Sequence, residues 1–272
     1  PDRNPRVAGS GGERLRQAGV DVSFFPLPEI AAFYRSFDRA VLEGLPTVTA
    51  KLAVDRNGCY SGDGQRRYVI TGPEASLATH QSRRAHDALL TTARTLNADN
   101  PRFDVRLPTG PVETKPLFVW DREATLRLDL DLWSAPRPIT VFHGPEADAR
   151  ALEALEARGA QLVPLGRSDP WQTAFRRVVA AGCHHVWVEG GGQFLRALGE
   201  TPYLQRLVLY LGARAPEVPS GPVFGLPDRL PGTLGSRWPR RGHVALGSDV
   251  AYLFWSEDDE SPECDWGAGS RV

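Results

Sequence analysis

Val186-Trp187-Val188-Glu189-Gly190-Gly191-Gly192-Gln193-Phe194 is the stretch on which the reading of the fold turns. Val186 to Val188 read as a strand, and the glycines end it just before a short helix that begins at Gln193. A strand that ends in glycines ahead of a helix lets backbone approach a phosphate at the helix N-terminus. In open α/β sheets the ligand crevice lies at the carboxyl ends of strands, and Glu189 would point into it. The same residues also fit a tight βα turn that binds nothing. The stretch is not a GxGxxG fingerprint, because Gln193 and Phe194 follow the glycines.

The pattern repeats outward from there. Residues 47–54 alternate with period 2 and carry β-branched side chains, so they read as a strand. Further strands are expected at 88–92, 117–120, 139–142, 161–164, 204–211 and 250–255. Helices are expected at 27–43, stopped by Gly44 and Pro46, and from Thr71-Gly72-Pro73-Glu74 to His86. Two more follow at 147–158, ended by Gly159, and at 171–181 before Gly182. One or two helical turns fit residues 14–18. Residues 55–67, 95–101 and 213–245 read as loops, and the tail after Ser256 as frayed. Strands alternating with helices predict an α/β fold with a mixed, mostly parallel sheet flanked by helices.

Composition narrows the function classes. The chain has 272 residues, 41% apolar and 24% charged, with 32 basic and 33 acidic side chains and a net charge of −1. That balance excludes a globally basic nucleic-acid binder. No apolar run approaches the roughly 18 residues that span a bilayer, and no apolar signal segment follows the start. The sequence has no Met and opens with Pro1, which is expected of processed ends or a piece of a longer product. Cys59, Cys183 and Cys264 lie far apart without a CxxC pair, so free thiols and a cytoplasmic location are expected.

Several side chains could carry chemistry. Asp99, in Thr95-Leu96-Asn97-Ala98-Asp99-Asn100-Pro101, could hold a substrate hydroxyl or serve as an acid or base; taken without context, an Asx-turn before Pro101 is the favoured reading. Lys51 stands inside an apolar strand, where a charge must be paired or functional. Arg83, Arg84, Arg102 and Arg106 could converge on a phosphate ester, or form a solvated surface. Neither HExxH nor GxSxG occurs, so no metal site and no hydrolase is expected.

Together these runs resemble the reductase domain of the bifunctional deaminase/reductase of riboflavin biosynthesis. The matching pieces are Val48-Thr49-Ala50-Lys51-Leu52-Ala53, Ile70-Thr71-Gly72-Pro73-Glu74-Ala75, Ala98-Asp99-Asn100-Pro101 with Val105-Arg106-Leu107-Pro108, Val188-Glu189-Gly190-Gly191, and Gly247-Ser248-Asp249-Val250. Asn4-Pro5-Arg6-Val7-Ala8-Gly9 with Leu15-Arg16-Gln17-Ala18-Gly19-Val20 resembles the tail of the deaminase domain, whose zinc-binding motifs do not occur here.

The resemblance implies a dihydrofolate-reductase-like fold over residues 46–256, after a deaminase tail and linker at 1–45 and before a flexible tail at 257–272. It implies NADPH-dependent reduction of the ribosyl group of 5-amino-6-(5-phosphoribosylamino)uracil to ribityl, in a homodimer, with a deaminase as partner or as an upstream domain. Lys51, Asp99 and Glu189 would be catalytic. Thr71, Arg83, Asn100 and Arg106 would bind substrate. Ala53, Thr95, Gly190, Gly191 and Gly192 would bind cofactor. Three local departures stand out: Asp55-Arg56-Asn57-Gly58 replaces Ser-x-Asp-Gly, Val69 with Tyr68 replaces a Trp, and Thr92 and Arg94 replace two glycines. They leave two alternatives open: a related reductase of another pterin or ribosyl substrate, or a silent paralogue that binds a flavin-pathway metabolite.

Overall fold

A computed structural model describes residues 4, 7–25, 27, 34, 37–61, 68–213, 222–227, 230, 238 and 240–255. Its frame is a nine-stranded sheet. In chain order the elements are α1 (Ser10–Gln17), β1 (Thr47–Val54), α2 (Pro73–Ala85), β2 (Ala88–Thr92), α3 (Ala93–Asp99), β3 (Asp104–Val105), β4 (Glu113–Thr114), β5 (Leu117–Trp120), β6 (Ile139–His143), α4 (Ala149–Ala157), β7 (Gln161–Pro164), α5 (Pro170–Ala180), β8 (His185–Glu189), α6 (Gly192–Gly199), β9 (Arg206–Leu211), β10 (Arg240–Leu246) and β11 (Asp249–Trp255). The strand order is β10-β11-β9-β1-β8-β2-β5-β6-β7, while β3 and β4 form a separate ribbon. All pairs from β9 to β7 are parallel, and β11 pairs antiparallel with both β9 and β10.

Strand alternation divides the core in two. Val48, Ala50, Leu52, Val186, Val188, Leu90 and Phe118 face one side, where α5 and α6 add Phe175, Val178, Leu195 and Leu198. Leu89, Val119, Trp187, Val208 and Tyr210 face the other, where α2, α3 and α4 add Ala75, Ala78, Leu96 and Leu155. Helices on both faces shield a parallel sheet from water, which is why its strands read as nearly continuous apolar runs.

Two expectations are corrected. Residues 240–246, read as loop, form edge strand β10, closed onto β11 through Gly247 at φ 64°. Edge strands face water along one side, so their Arg and Gly content hides the strand pattern. Residues 95–99, read as part of a loop at 95–101, belong to α3, which starts at Ala93. The helix expected at 27–43 lies mostly outside the described residues, which include a π-helical turn at Arg39–Glu43 ended by Gly44 at φ 67°. The tail after 255 also lies outside them.

Candidate active site

Neighbouring strands β8 and β2 place the site. The chain leaves β2 into α3 on one face and leaves β8 into α6 on the other. Where consecutive helices part to opposite faces, a crevice opens at the carboxyl ends of the strands. A cleft of about 1010 Å³ lies there, lined from β1 by Leu52, from the β2–α3 turn by Thr92 to Thr95, from β5 by Trp120, and from the β8–α6 turn by Gly190 and Gly191. That is the upper end of the range of small-molecule and cofactor sites.

The β8–α6 turn is shaped by its missing side chains. A Cβ at Gly192 would lie 2.5 Å from Tyr60 Cε1, and one at Gly190 would lie 2.9 Å from Phe194 Cδ1. These glycines let two rings pack on the turn. A Cβ at Gly191 would meet nothing closer than 3.9 Å, which leaves its backbone open toward the cleft. Phe194 belongs to an aromatic wall: Trp120 stacks on Trp171 with centroids 4.2 Å apart, and Phe194 lies 5.7 Å from Trp120 and 5.2 Å from Trp171.

The β2–α3 turn is built differently. Thr92 is the N-cap of α3, and its Oγ1 accepts a hydrogen bond from the Thr95 amide at 3.1 Å. The cap converts the polar run after β2 into helix, which is the physical reason for the correction at 95–99. Asp99 is therefore the last helical residue rather than part of a loop. Asn100 closes α3 in the left-handed conformation at φ 42°. Arg94, exposed at the start of α3, reaches across to α6, where its Nη1 lies 3.4 Å from Gln193 Oε1.

Behind β8 runs a chain of alternating charge. Lys51 on β1 and Glu189 on β8 are register partners, and Lys51 Nζ sits 5.0 Å over the Tyr210 ring. Arg83 of α2 grips Glu189 in a bidentate pair, Nε to Oε1 at 2.6 Å and Nη2 to Oε2 at 3.0 Å. Trp187 Nε1 donates to the same carboxylate at 2.9 Å. Arg83 Nη1 donates to the Asp104 carbonyl at 2.9 Å, and Arg106 Nε lies 3.0 Å from Asp104 Oδ1. Burial alone would push the Glu189 carboxyl up, but Arg83, then Lys51 and Trp187, pull it down to about 2. Burial lowers the Lys51 ammonium, opposed by Glu189 and aided by Arg83. A lysine with a lowered pKa exchanges a proton more readily near neutral pH.

Two of the sequence departures explain each other. Asp55, fully buried, accepts from the amides of Asn57 and Cys59 at 2.8 and 3.0 Å, and the Tyr68 hydroxyl donates to its other oxygen at 2.6 Å. The turn thus closes on its own carboxylate, and Tyr68 is held at the cleft wall. Asp249 of the Gly-Ser-Asp motif anchors the start of α2, accepting from Gly72 N at 2.6 Å and Ala213 N at 2.9 Å.

The expected site residues thus fall into two groups. Thr95, Asp99, Gly190 and Gly191 line the cleft. Lys51, Glu189, Arg83 and Arg106 lie along the charge chain. The groups adjoin at the end of β8, where Glu189 turns inward and Gly190 outward. Four assignments fit poorly with their surroundings. Arg83 is committed to Glu189 and the Asp104 carbonyl, not presented to a phosphate. Glu189 points into that ion pair, not into the crevice. Asn100 Oδ1 accepts from Asp131 N at 2.8 Å. Ala53 packs on the α2 face with the second core cluster, opposite Leu52. Thr71, half-buried, precedes the anchored Gly72, and Gly192 packs under Tyr60. Sequence reasoning missed the aromatic wall and Arg122, another cleft residue. Only the apolar strand ends and helix starts signalled the wall.

Among the described residues no helix is long and apolar enough to cross a membrane. Residues 46–215 match the family model for the RibD C-terminal domain. The chain is 30% identical over 232 residues to the riboflavin biosynthesis protein RibD of Bacillus amyloliquefaciens, covering 82% of this chain and 62% of that one. It is 29% identical over 221 residues to the RibD of Chlamydia muridarum, covering 78% and 59%. The chain therefore spans about 60% of the length of these curated relatives. Among solved structures, Acinetobacter baumannii RibD superposes with a TM-score of 0.78 at 22% identity, over 94% of this chain and 71% of that one. The Saccharomyces riboflavin biosynthesis reductase Rib7 superposes with a TM-score of 0.59 at 17% identity, over 90% and 96%. The expected dihydrofolate-reductase-like sheet is the fold that these structures share with the chain.

Proposed function

We infer what the cleft does from one premise: the chain belongs to the RibD C-terminal domain family. It is an aminouracil reductase of riboflavin biosynthesis that reduces the ribosyl group of 5-amino-6-(5-phosphoribosylamino)uracil to ribityl with NADPH. The observation that carries this reading is the adjacency of the two groups at the end of β8, an open cleft lined by Asp99 and a buried ionic chain that holds Lys51. The cleft suits a nicotinamide dinucleotide by its volume, by the open backbone at Gly191 and by its aromatic wall. When bound, the dinucleotide supplies a hydride, and the protein contributes orientation and electrostatics.

The residues divide the remaining work. Reduction at C1′ of the opened sugar adds a hydride to carbon and a proton to the neighbouring nitrogen. Lys51 is the proton donor, its ammonium weakened by burial and oriented by Glu189. Arg83 and Trp187 keep Glu189 ionised, so they are positioning residues. Asp99 holds the sugar hydroxyls from the end of α3, and Arg106, exposed beyond Asp104, meets the 5′-phosphate. Residues 46–256 form the reductase unit and residues 1–45 a deaminase tail and linker. The enzyme is cytoplasmic and homodimeric, and the reaction that precedes it is a deamination.

The test is loss of nicotinamide absorbance with NADPH and the phosphoribosylaminouracil. Lys51→Ala, folded by circular dichroism, should lower kcat at least about a hundredfold, the scale of a positioned proton-transfer group, and Asp99→Ala, equally folded, should lower turnover about ten- to a hundredfold, the worth of hydrogen bonds to a charged group. Full turnover in both variants would remove the assignment. Oxidation with dihydrofolate but not with the aminouracil would move the reading to another pterin substrate.

A further inference from the structure

We propose that Arg94 and Arg122 form a two-arginine clamp for the 2′-phosphate of the dinucleotide, with its adenine on the aromatic face of Trp120 and Phe194. The inference rests on the reading of the cleft as the cofactor site and assigns which end of the cofactor goes where.

A helix start ordinarily offers free N–H groups to a phosphate. At α3 the Thr95 amide is already taken by Thr92 Oγ1, so this turn has less backbone to offer. At α6 the N-cap Gly191 has no side-chain cap and leaves its backbone open to the cleft. The diphosphate therefore belongs at α6, and a further phosphate needs side chains.

Two side chains are placed for it. Arg94 and Arg122 both line the cleft and both are exposed, one from the start of α3 and the other from the turn after β5. Among the described residues neither guanidinium has a carboxylate partner. Arg94 makes a long contact with Gln193, at 3.4 Å. Of the acids of the cleft, Asp121 is engaged and Asp99 is set apart, while Glu123 adjoins Arg122. Asp121 is buried and spent on the Thr125 and Leu126 amides at 2.9 and 2.8 Å. Asp99 lies at the far end of α3, about 7 Å along the helix axis from Arg94. Glu123 is the acid next to Arg122 in sequence, and its removal should favour an anion.

The cleft is thus polarised, with cations and aromatic rings at the start of α3 and Asp99 at its end. A guanidinium pair recognises a terminal phosphate by forked hydrogen bonds, and an arginine is a common ligand of the NADP 2′-phosphate. A planar purine stacks on an aromatic face. The nicotinamide half then lies toward Asp99, where the sugar is held.

The clamp is tested by binding rather than turnover. Quenching of tryptophan fluorescence by NADPH, NADH, adenosine 2′,5′-bisphosphate and nicotinamide mononucleotide is titrated with the wild type, Arg94→Ala, Arg94→Lys, Arg122→Ala and Glu123→Gln. The wild type should bind NADPH and the bisphosphate. Arg94→Ala and Arg122→Ala should each weaken both about ten- to a hundredfold, the worth of a hydrogen bond to a charged group, while NADH and the mononucleotide change less than about twofold. Arg94→Lys should restore part of the loss, and Glu123→Gln should tighten NADPH. Equal losses for NADPH and NADH, or none for either, would overturn the clamp while leaving the cofactor site standing. A wild type that binds neither dinucleotide would overturn the cofactor reading itself, and the clamp with it.

Discussion

Two strand-to-helix turns face one cleft from neighbouring strands, and they are built on opposite plans. The β8–α6 turn is glycine and keeps its backbone open at Gly191, while its acidic residue is pulled inward by Arg83 and Trp187. The β2–α3 turn keeps its own backbone occupied, with Thr92 capping Thr95, and sends Arg94 outward. The first gives up a side chain to expose amides. The second satisfies its amides locally and exposes a charge. An anion can be met in either way, and the cost falls in different places: buried charge in one turn, a solvated arginine in the other.

The largest effect is expected where the first turn is anchored. Glu189→Gln would leave Arg83 buried beside a neutral amide, and breaking a buried pair by removing one partner costs about 3–5 kcal/mol. Urea unfolding at neutral pH measures this, and an unchanged midpoint would mean that the ion pair does not hold the turn. The pH dependence has a definite sign. Arg83 holds the Glu189 carboxyl at about 2 against an ordinary 4.5. Its contribution is complete above about pH 4.5 and is lost as pH falls toward about 2, because the unfolded chain takes up the proton first. The variant should lack that part of the acid slope.

A middle-sized effect separates two adjacent glycines. Gly192→Ala places a methyl 2.5 Å from the Tyr60 ring, and overpacking of this kind costs about 1–3 kcal/mol. Gly191→Ala meets nothing within 3.9 Å, so it should leave the unfolding midpoint within about 0.5 kcal/mol. Its effect should appear instead as weaker NADPH binding. Equal stability losses at 191 and 192 would erase the distinction between packing glycine and open glycine.

How much of this was legible depended on the reach of the signal. The strand at 47–54 is read to the residue because its pattern is local, alternating and β-branched. The helix start at Pro73 is marked by its own proline. Residues 95–99 misled because no apolar periodicity announces them; one threonine cap and a packed Leu96 decide the helix. Residues 240–246 misled because an edge strand needs few apolar side chains. In the site, Lys51 stood out since a charge in an apolar strand demands a partner, but no spacing rule could name Arg83 as the partner of Glu189. They meet only when α2 folds over β8. Asp55 and Tyr68 looked like two separate departures and proved to be one hydrogen-bonded unit.

The smallest effect tests the contrast most directly, because it converts one turn toward the other. Thr92→Ala removes the cap from α3 and should cost about 1 kcal/mol, whereas Thr92→Gly should cost only a few tenths relative to Thr. Both free the Thr95 amide, but only glycine lets backbone approach the cleft without a Cβ. If the two turns are alternative ways of meeting an anion, then Thr92→Gly in an Arg94→Ala background should recover part of the lost NADPH affinity, and Thr92→Ala should recover less. The recovery should extend to NADH, since a backbone amide offered at the turn can serve the diphosphate that both dinucleotides carry. Recovery confined to NADPH would instead place the freed amide at the 2′-phosphate, and no recovery would mean that the capped amide never faced the cofactor and that Arg94 acts alone.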